Sequence, residues 1–178
     1  VIARECGPQV LDPERLNRGA IATYTNDGML VNWRWLDTDP DDIAFNIYRD
    51  GTKLNTLPLS SRTNYLDAEG SVNSNYTVEA LSAGKVVETA AALVLEKGYL
   101  NIPLDRPQGG TVQGSSYTYT PGDASVGDVD GDGEYEIILK WDPTNQCDNG
   151  QNGSQNYTGN VYLDCYKLNG TKLWRIDL

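Results

Sequence analysis

Histidine is missing from the 178-residue sequence, and basic residues are scarce. Fourteen lysines and arginines face 25 aspartates and glutamates, for a formal net charge of −11. That imbalance argues against nucleic acid and anionic membrane surfaces as partners, since both are approached through basic patches. With no histidine, and with cysteines whose spacing fits no zinc pattern, an ordinary zinc site is excluded. No apolar run approaches the roughly 20 residues of a membrane span. No signal peptide stands at Val1, as expected of a mature form. The three cysteines are an odd count, so at least one thiol stays free. Cys147 and Cys165 pair only if the fold brings them together.

What the sequence does have is 18 glycines, 11 tyrosines and turn signals at short intervals, which favour an all-β protein. Its length suits one large domain or two small ones. The most informative stretch is Val126 to Asp142, VGDVDGDGEYEIILKWD, where Asp128, Asp130, Asp132, Glu134 and Glu136 fall on alternate positions. Two carboxylates about 4 Å apart at an effective dielectric of 20 repel by roughly 4 kcal/mol. A folded loop that gathers several of them therefore wants a cation, and ligation by oxygen alone selects a hard ion such as Ca2+.

The spacing is not that of an EF-hand. Counting from Asp128, Gly133 occupies the required sixth position, but the twelfth is Leu139, which cannot ligate. The next acid is Glu136, and Glu136 to Trp141 is β-branched, aromatic and strand-like. The expectation is a turn that wraps calcium and feeds a strand. Asp128, Asp130, Asp132 and Glu136 would give side-chain oxygens, and Glu134 its main-chain carbonyl. The alternative is an acidic, solvated hairpin turn, because Asp-Gly is common in turns.

Along the chain, residues 1–18 form an irregular lead-in, 19–98 a β-sandwich, and 99–178 a linker with a second β unit. Met29 to Leu36 alternates, with Val31, Trp33 and Trp35 on one face. Those tryptophans read as core, with a sugar-binding platform as the alternative. Ile43, Phe45 and Ile47 make the next apolar face, and Asp50-Gly51 is a hairpin signal. Further strands are expected at Thr63–Leu66, Asn75–Leu81 and Val86–Leu95, about seven in all. The tryptophan strand, the FNIYRDG hairpin and the NYTVEAL strand resemble a fibronectin type III domain.

In the second unit, Pro103, Pro107 and Gly109-Gly110 read as linker. Ala124–Gly127, Glu134–Trp141, Asn160–Leu168 and Thr171–Leu178 are strand candidates, the last pair joined at Asn169-Gly170. Four antiparallel strands make one propeller blade. One blade leaves faces and edges uncovered. The expectation is the front part of a longer protein, with the remaining blades supplied by the rest of that protein or by another chain.

LNRGAIA, then DASVGDVDGDGEYEIILKWDPTN, then YTGNVYLDCYKLNGTKLWRIDL, in that order, resemble bacterial rhamnogalacturonan lyases of polysaccharide lyase family 11. The resemblance covers roughly Leu16 to Leu178. It implies an N-terminal sandwich followed by an eight-bladed propeller studded with calcium ions, incomplete in this chain. It further implies a secreted enzyme that cleaves the rhamnose–galacturonate backbone of the pectic polysaccharide rhamnogalacturonan I by β-elimination. A non-catalytic, calcium-stabilised glycan-binding or adhesion module is the alternative.

Elimination from a uronate requires that the C6 carboxylate be neutralised, that a base take the C5 proton and that an acid serve the leaving oxygen. Lys140, the basic residue adjoining the loop in sequence, reads as charge partner of the acids rather than as base. The base is expected outside this portion. Asp142, Asn145, Asp148 and Asn149, after the Trp141 strand, suit sugar hydroxyls or a bridging ion. Ordinary turn chemistry is the competing explanation for them.

Overall fold

The computed structural model describes residues 15–147 and 157–178, and every regular element among them is a β-strand. Strands β1 (Ile21–Thr25) and β2 (Gly28–Asn32) form a hairpin. β3 (Ala44–Arg49) turns through Asp50 and Gly51, both at positive φ (50° and 80°), into the short β4 (Thr52–Lys53). Two successive left-handed residues give the turn whose twist matches that of the flanking strands, as the Asp-Gly pair predicts. Then come β5 (Asn64–Asp67), β6 (Tyr76–Ser82), β7 (Lys85–Ala91) and β8 (Leu93–Leu95).

These eight strands make two four-stranded sheets, ordered β5-β2-β1-β8 and β4-β3-β6-β7. Alternate residues of each face inward: Ala22, Met29 and Val31 from one sheet, and Phe45, Ile47, Tyr76, Val78 and Ala80 from the other. Burial of a side chain such as Phe45 is worth roughly 1.5–3 kcal/mol. The buried Arg18 reaches Asp39 at 2.5 Å and Glu88 at 2.6 Å beside this core.

Two expectations fail here, both because the partner in space is remote in sequence. Val86–Leu95 is not one strand. The chain breaks at Ala92, whose N–H goes to Tyr76, so that β7 pairs with β6 while β8 crosses to the other sheet, parallel to β1. The tryptophan strand ends at Asn32, because Arg34 donates its N–H to Arg18 O (2.7 Å) and leaves the sheet. Trp33 is buried, but Trp35 is 47% exposed and touches Phe45 edge-on at 5.9 Å, so it is not core.

The second unit opens with a hairpin, β9 (Gly110–Val112) and β10 (Ser115–Tyr117), where the sequence reading has only linker. Gln113-Gly114, both at positive φ, make its turn. β11 (Tyr119–Gly127), β12 (Glu136–Pro143), β13 (Tyr162–Tyr166) and β14 (Lys172–Asp177) then form one antiparallel sheet in chain order. Tyr119, Leu139, Trp141 and Tyr166 are its buried apolar cluster. The expected linker is bound to this sheet. Asp105 N–H donates to the Tyr166 hydroxyl (3.1 Å), Asp105 O accepts from Arg175, and Lys172 pairs with the Asp105 carboxylate.

Candidate metal centre

The loop between β11 and β12 begins and ends on a strand pair, Gly127 opposite Glu136, which fixes its two ends side by side. Within it the carboxylates fold the backbone around themselves. Asp128 accepts from Gly131 N–H (2.8 Å) and Gly133 N–H (3.1 Å). Asp132 accepts from Glu134 N–H at 2.9 Å. Glu136, only 1% exposed, accepts from Val129 N–H at 2.8 Å.

One carboxylate oxygen from each of Asp128, Asp130 and Glu136 lies within 4.8 Å of the other two. Calcium binds oxygen at 2.3–2.6 Å, so two ligands of one ion are at most about 5 Å apart. The three groups therefore fit a hard cation in both spacing and chemistry. Further contacts reach Asp132 and the side chain of Glu134, the residue expected to offer its main-chain carbonyl. Asp132 pairs with Lys167 Nζ at 2.6 Å, and the Glu134 carboxylate receives the Asn17 amide at 3.4 Å.

Lys167, at the end of β13, also reaches Asp130 at 2.6 Å. The hydrogen bonds to Asp130 and Asp132 hold its ammonium well above the ordinary lysine range, and the same contact pulls the Asp132 carboxyl down. Lys140 is not the partner of these acids. Its ammonium sits 2.8 Å from Asp142, because residues two apart on a strand share one face. The loop's basic partner is thus Lys167, 27 residues downstream of Lys140, where adjacency in sequence gives no signal.

Asp142 is buried and held by that ion pair. Asn145 donates to Tyr157 O (3.2 Å) and accepts from Gly159 N–H (3.0 Å), so its amide ties together the two ends of the loop that follows β12. Asp148 and Asn149 lie outside the described residues. Cys147 is exposed and Cys165 buried, and both are free thiols.

Sequence reading also misses a buried polar cluster. Asp164, fully buried in β13, accepts from Trp141 Nε1 (2.8 Å), the Tyr166 hydroxyl (2.6 Å), and Arg175 Nε and Nη2 (both 2.6 Å). Burial alone would raise its carboxyl, but these donors outweigh that and keep it below its ordinary 3.8. An acid in mid-strand between Leu163 and Cys165 is the available signal.

Residues 12–94 match the model for the rhamnogalacturonan I lyase β-sheet domain, and residues 99–178 that for the C-terminal domain of rhamnogalacturonan lyase family 11. The chain belongs to rhamnogalacturonan lyase family 11. Among family members, it is 54% identical over 167 residues to the rhamnogalacturonan endolyase YesW of Bacillus subtilis (strain 168), covering 93% of this chain and 26% of YesW. To the exolyase YesX of the same organism it is 48% identical over 173 residues, 96% of this chain and 28% of YesX. The crystal structure of YesX superposes with a TM-score of 0.86 over 92% of this chain and 27% of that one. The Bacillus licheniformis family lyase gives 0.85 at 52% identity, over 93% of this chain and 28% of that one. The chain thus spans about a quarter of the length of the curated relatives it matches.

Proposed function

We propose that this chain forms the N-terminal sandwich and first propeller blade of a secreted, calcium-dependent rhamnogalacturonan lyase that cleaves the pectic backbone by β-elimination. The observation that carries this reading is the match, at about half identity and along nearly the whole chain, to proteins named as a rhamnogalacturonan endolyase and exolyase. The four-stranded antiparallel sheet supports the blade, since that is the unit from which propellers repeat. Secretion follows from the substrate: a polymer of cell-wall size is cut where it lies.

Calcium rests on the convergence of Asp128, Asp130 and Glu136, with Glu136 buried among them. A calcium ion held there would supply positive charge that offsets the repulsion among those carboxylates. Its role in this portion is to hold the β11–β12 connection.

For the elimination, a base removes the C5 proton of galacturonate, the C4–O bond to rhamnose breaks, an acid protonates that oxygen, and the C4–C5 double bond remains. Among the described residues the candidate amine base nearest the loop in sequence, Lys140, is held by Asp142, and the sequence contains no histidine. Proton transfer is therefore assigned to the rest of the enzyme, and this portion serves as scaffold.

The test is the complete protein on purified rhamnogalacturonan I and on polygalacturonate. The reading predicts an ultraviolet-absorbing unsaturated uronate from the first substrate alone, and none from residues 1–178 by themselves. Binding of the polysaccharide by the complete protein with no unsaturated product would reject the lyase reading in favour of a glycan-binding module.

A further inference from the structure

We infer that the acidic loop is an ion-responsive joint: a cation held by Asp128, Asp130 and Glu136 sets how firmly the sandwich is docked on the four-stranded sheet. The inference rests on the calcium reading above and extends it to the relation between the two units. Its basis is that three consecutive residues of the loop, Gly133, Glu134 and Tyr135, each touch the sandwich side.

Gly133 O accepts from Asn17 N–H at 2.7 Å, and Glu134 accepts from the Asn17 amide. Tyr135 lies under the Arg34 guanidinium, whose Cζ is 4.8 Å from the ring centroid. Arg34 in turn donates to Asn17 O at 3.1 Å, and its main-chain N–H to Arg18 O at 2.7 Å. Residues 16–19, just ahead of β1, thus form a strap clamped between Arg34 and the loop. Gly133 permits this. Its φ is +90°, and a Cβ there would meet Arg15 O and Asn17 N at 3.1 Å.

The path from ion to strap is short. Gly133 gives its N–H to Asp128 and takes the strap's N–H on its carbonyl, so one peptide-linked residue touches both. A cation that draws Asp128, Asp130 and Glu136 together shortens the span over which residues 133–135 are held. Without it the acids repel, and Lys167 compensates only at Asp130 and Asp132. Beside the joint lies a cavity of about 620 Å³ bordered by Arg34, Tyr135, Leu93, Leu100 and Leu168, so little packing here replaces a loosened strap.

The experiment is amide hydrogen exchange of the complete protein in calcium and in chelator. Exchange at Asn17 is expected to accelerate at least tenfold on chelation, together with Gly131 and Gly133, while Phe45 and Val78 in the sandwich core stay unchanged. Response of Gly131 and Gly133 with Asn17 unmoved would overturn the joint but leave the calcium reading standing. No response at any of the three would overturn both.

Linkage supplies an independent arm. If the ion tightens the strap, loosening the strap must weaken the ion. Arg34→Ala, which removes a positive charge near the acids, would tighten calcium binding by simple electrostatics. The joint predicts the opposite sign, a loss of roughly fivefold or more at this site, read from the calcium concentration that protects Gly131. Unchanged or tighter binding would contradict it. Arg34→Lys keeps the charge, and on this account it recovers little of the loss, because a lysine cannot both bond Asn17 O and lie flat on Tyr135.

Discussion

In the sandwich, eleven apolar residues are buried together, eight of them on the strands of the two facing sheets. In the four-stranded sheet the corresponding cluster is Tyr119, Leu139, Trp141 and Tyr166, and the buried polar groups beside it include the carboxylates of Glu136, Asp142 and Asp164. Strand β11 is solvent-exposed along most of its length, with Val126 62% exposed. The first unit closes a core on itself, whereas the second buries a smaller apolar cluster and adds charge-assisted hydrogen bonds to its backbone pairing. The first unit is therefore expected to answer chiefly to side-chain volume, and the second, on the proposed calcium reading, to ions as well.

The largest separation between the two should come from Phe45→Ala. Emptying that site is expected to cost about 3–5 kcal/mol, seen as faster exchange at Val78 and Ala80 under mild denaturant and equal in calcium and chelator. A calcium-sensitive loss would break the comparison. Next is Asp164→Ala, which strands Arg175 and Trp141 without their acceptor and is expected to cost about 3 kcal/mol. Exchange in β13 and β14 should rise while the sandwich stays protected.

Acid reaches both units, each through one buried carboxylate. Because the Asp164 carboxyl lies below its ordinary 3.8 in the folded protein, its stabilisation is complete above that value and is lost as pH falls through the lower one. The β13–β14 amides should therefore lose protection in strong acid, and Asp164→Asn should remove that dependence. Arg18 likewise outweighs burial to hold Asp39 down, so the Arg18 end of the sandwich loosens over the same range while Phe45 and Val78 do not respond. The smallest effect is expected of Lys140→Ala. With its partner at Asp142, the calcium dependence of Gly131 and Gly133 exchange should be indistinguishable from that of the unaltered protein.

The contrast also explains what could be read in advance. Hairpins were legible where two adjacent residues set the turn, as at Asp50-Gly51. Strands were legible where period-two burial runs unbroken, as from Tyr76 to Ala80. The carboxylate loop was legible because its residues are contiguous. The break at Ala92 was not, since it depends on a bond to Tyr76, and neither was the exposure of Trp35, which depends on Arg34 reaching Arg18. Lys167 and Asn17 were invisible for the same reason: they reach the loop through folding, at 2.6 Å and 2.7 Å, from opposite ends of the sequence. Turn chemistry is local, whereas charge pairing across a sheet is not.

The most direct test of the account is diffraction from crystals of the complete protein grown with calcium, recorded for the anomalous signal of the ion. The prediction is a peak between Asp128, Asp130 and Glu136 with oxygen distances of about 2.3–2.6 Å. No peak there at saturating calcium, with Lys167 alone bridging Asp130 and Asp132, would contradict it.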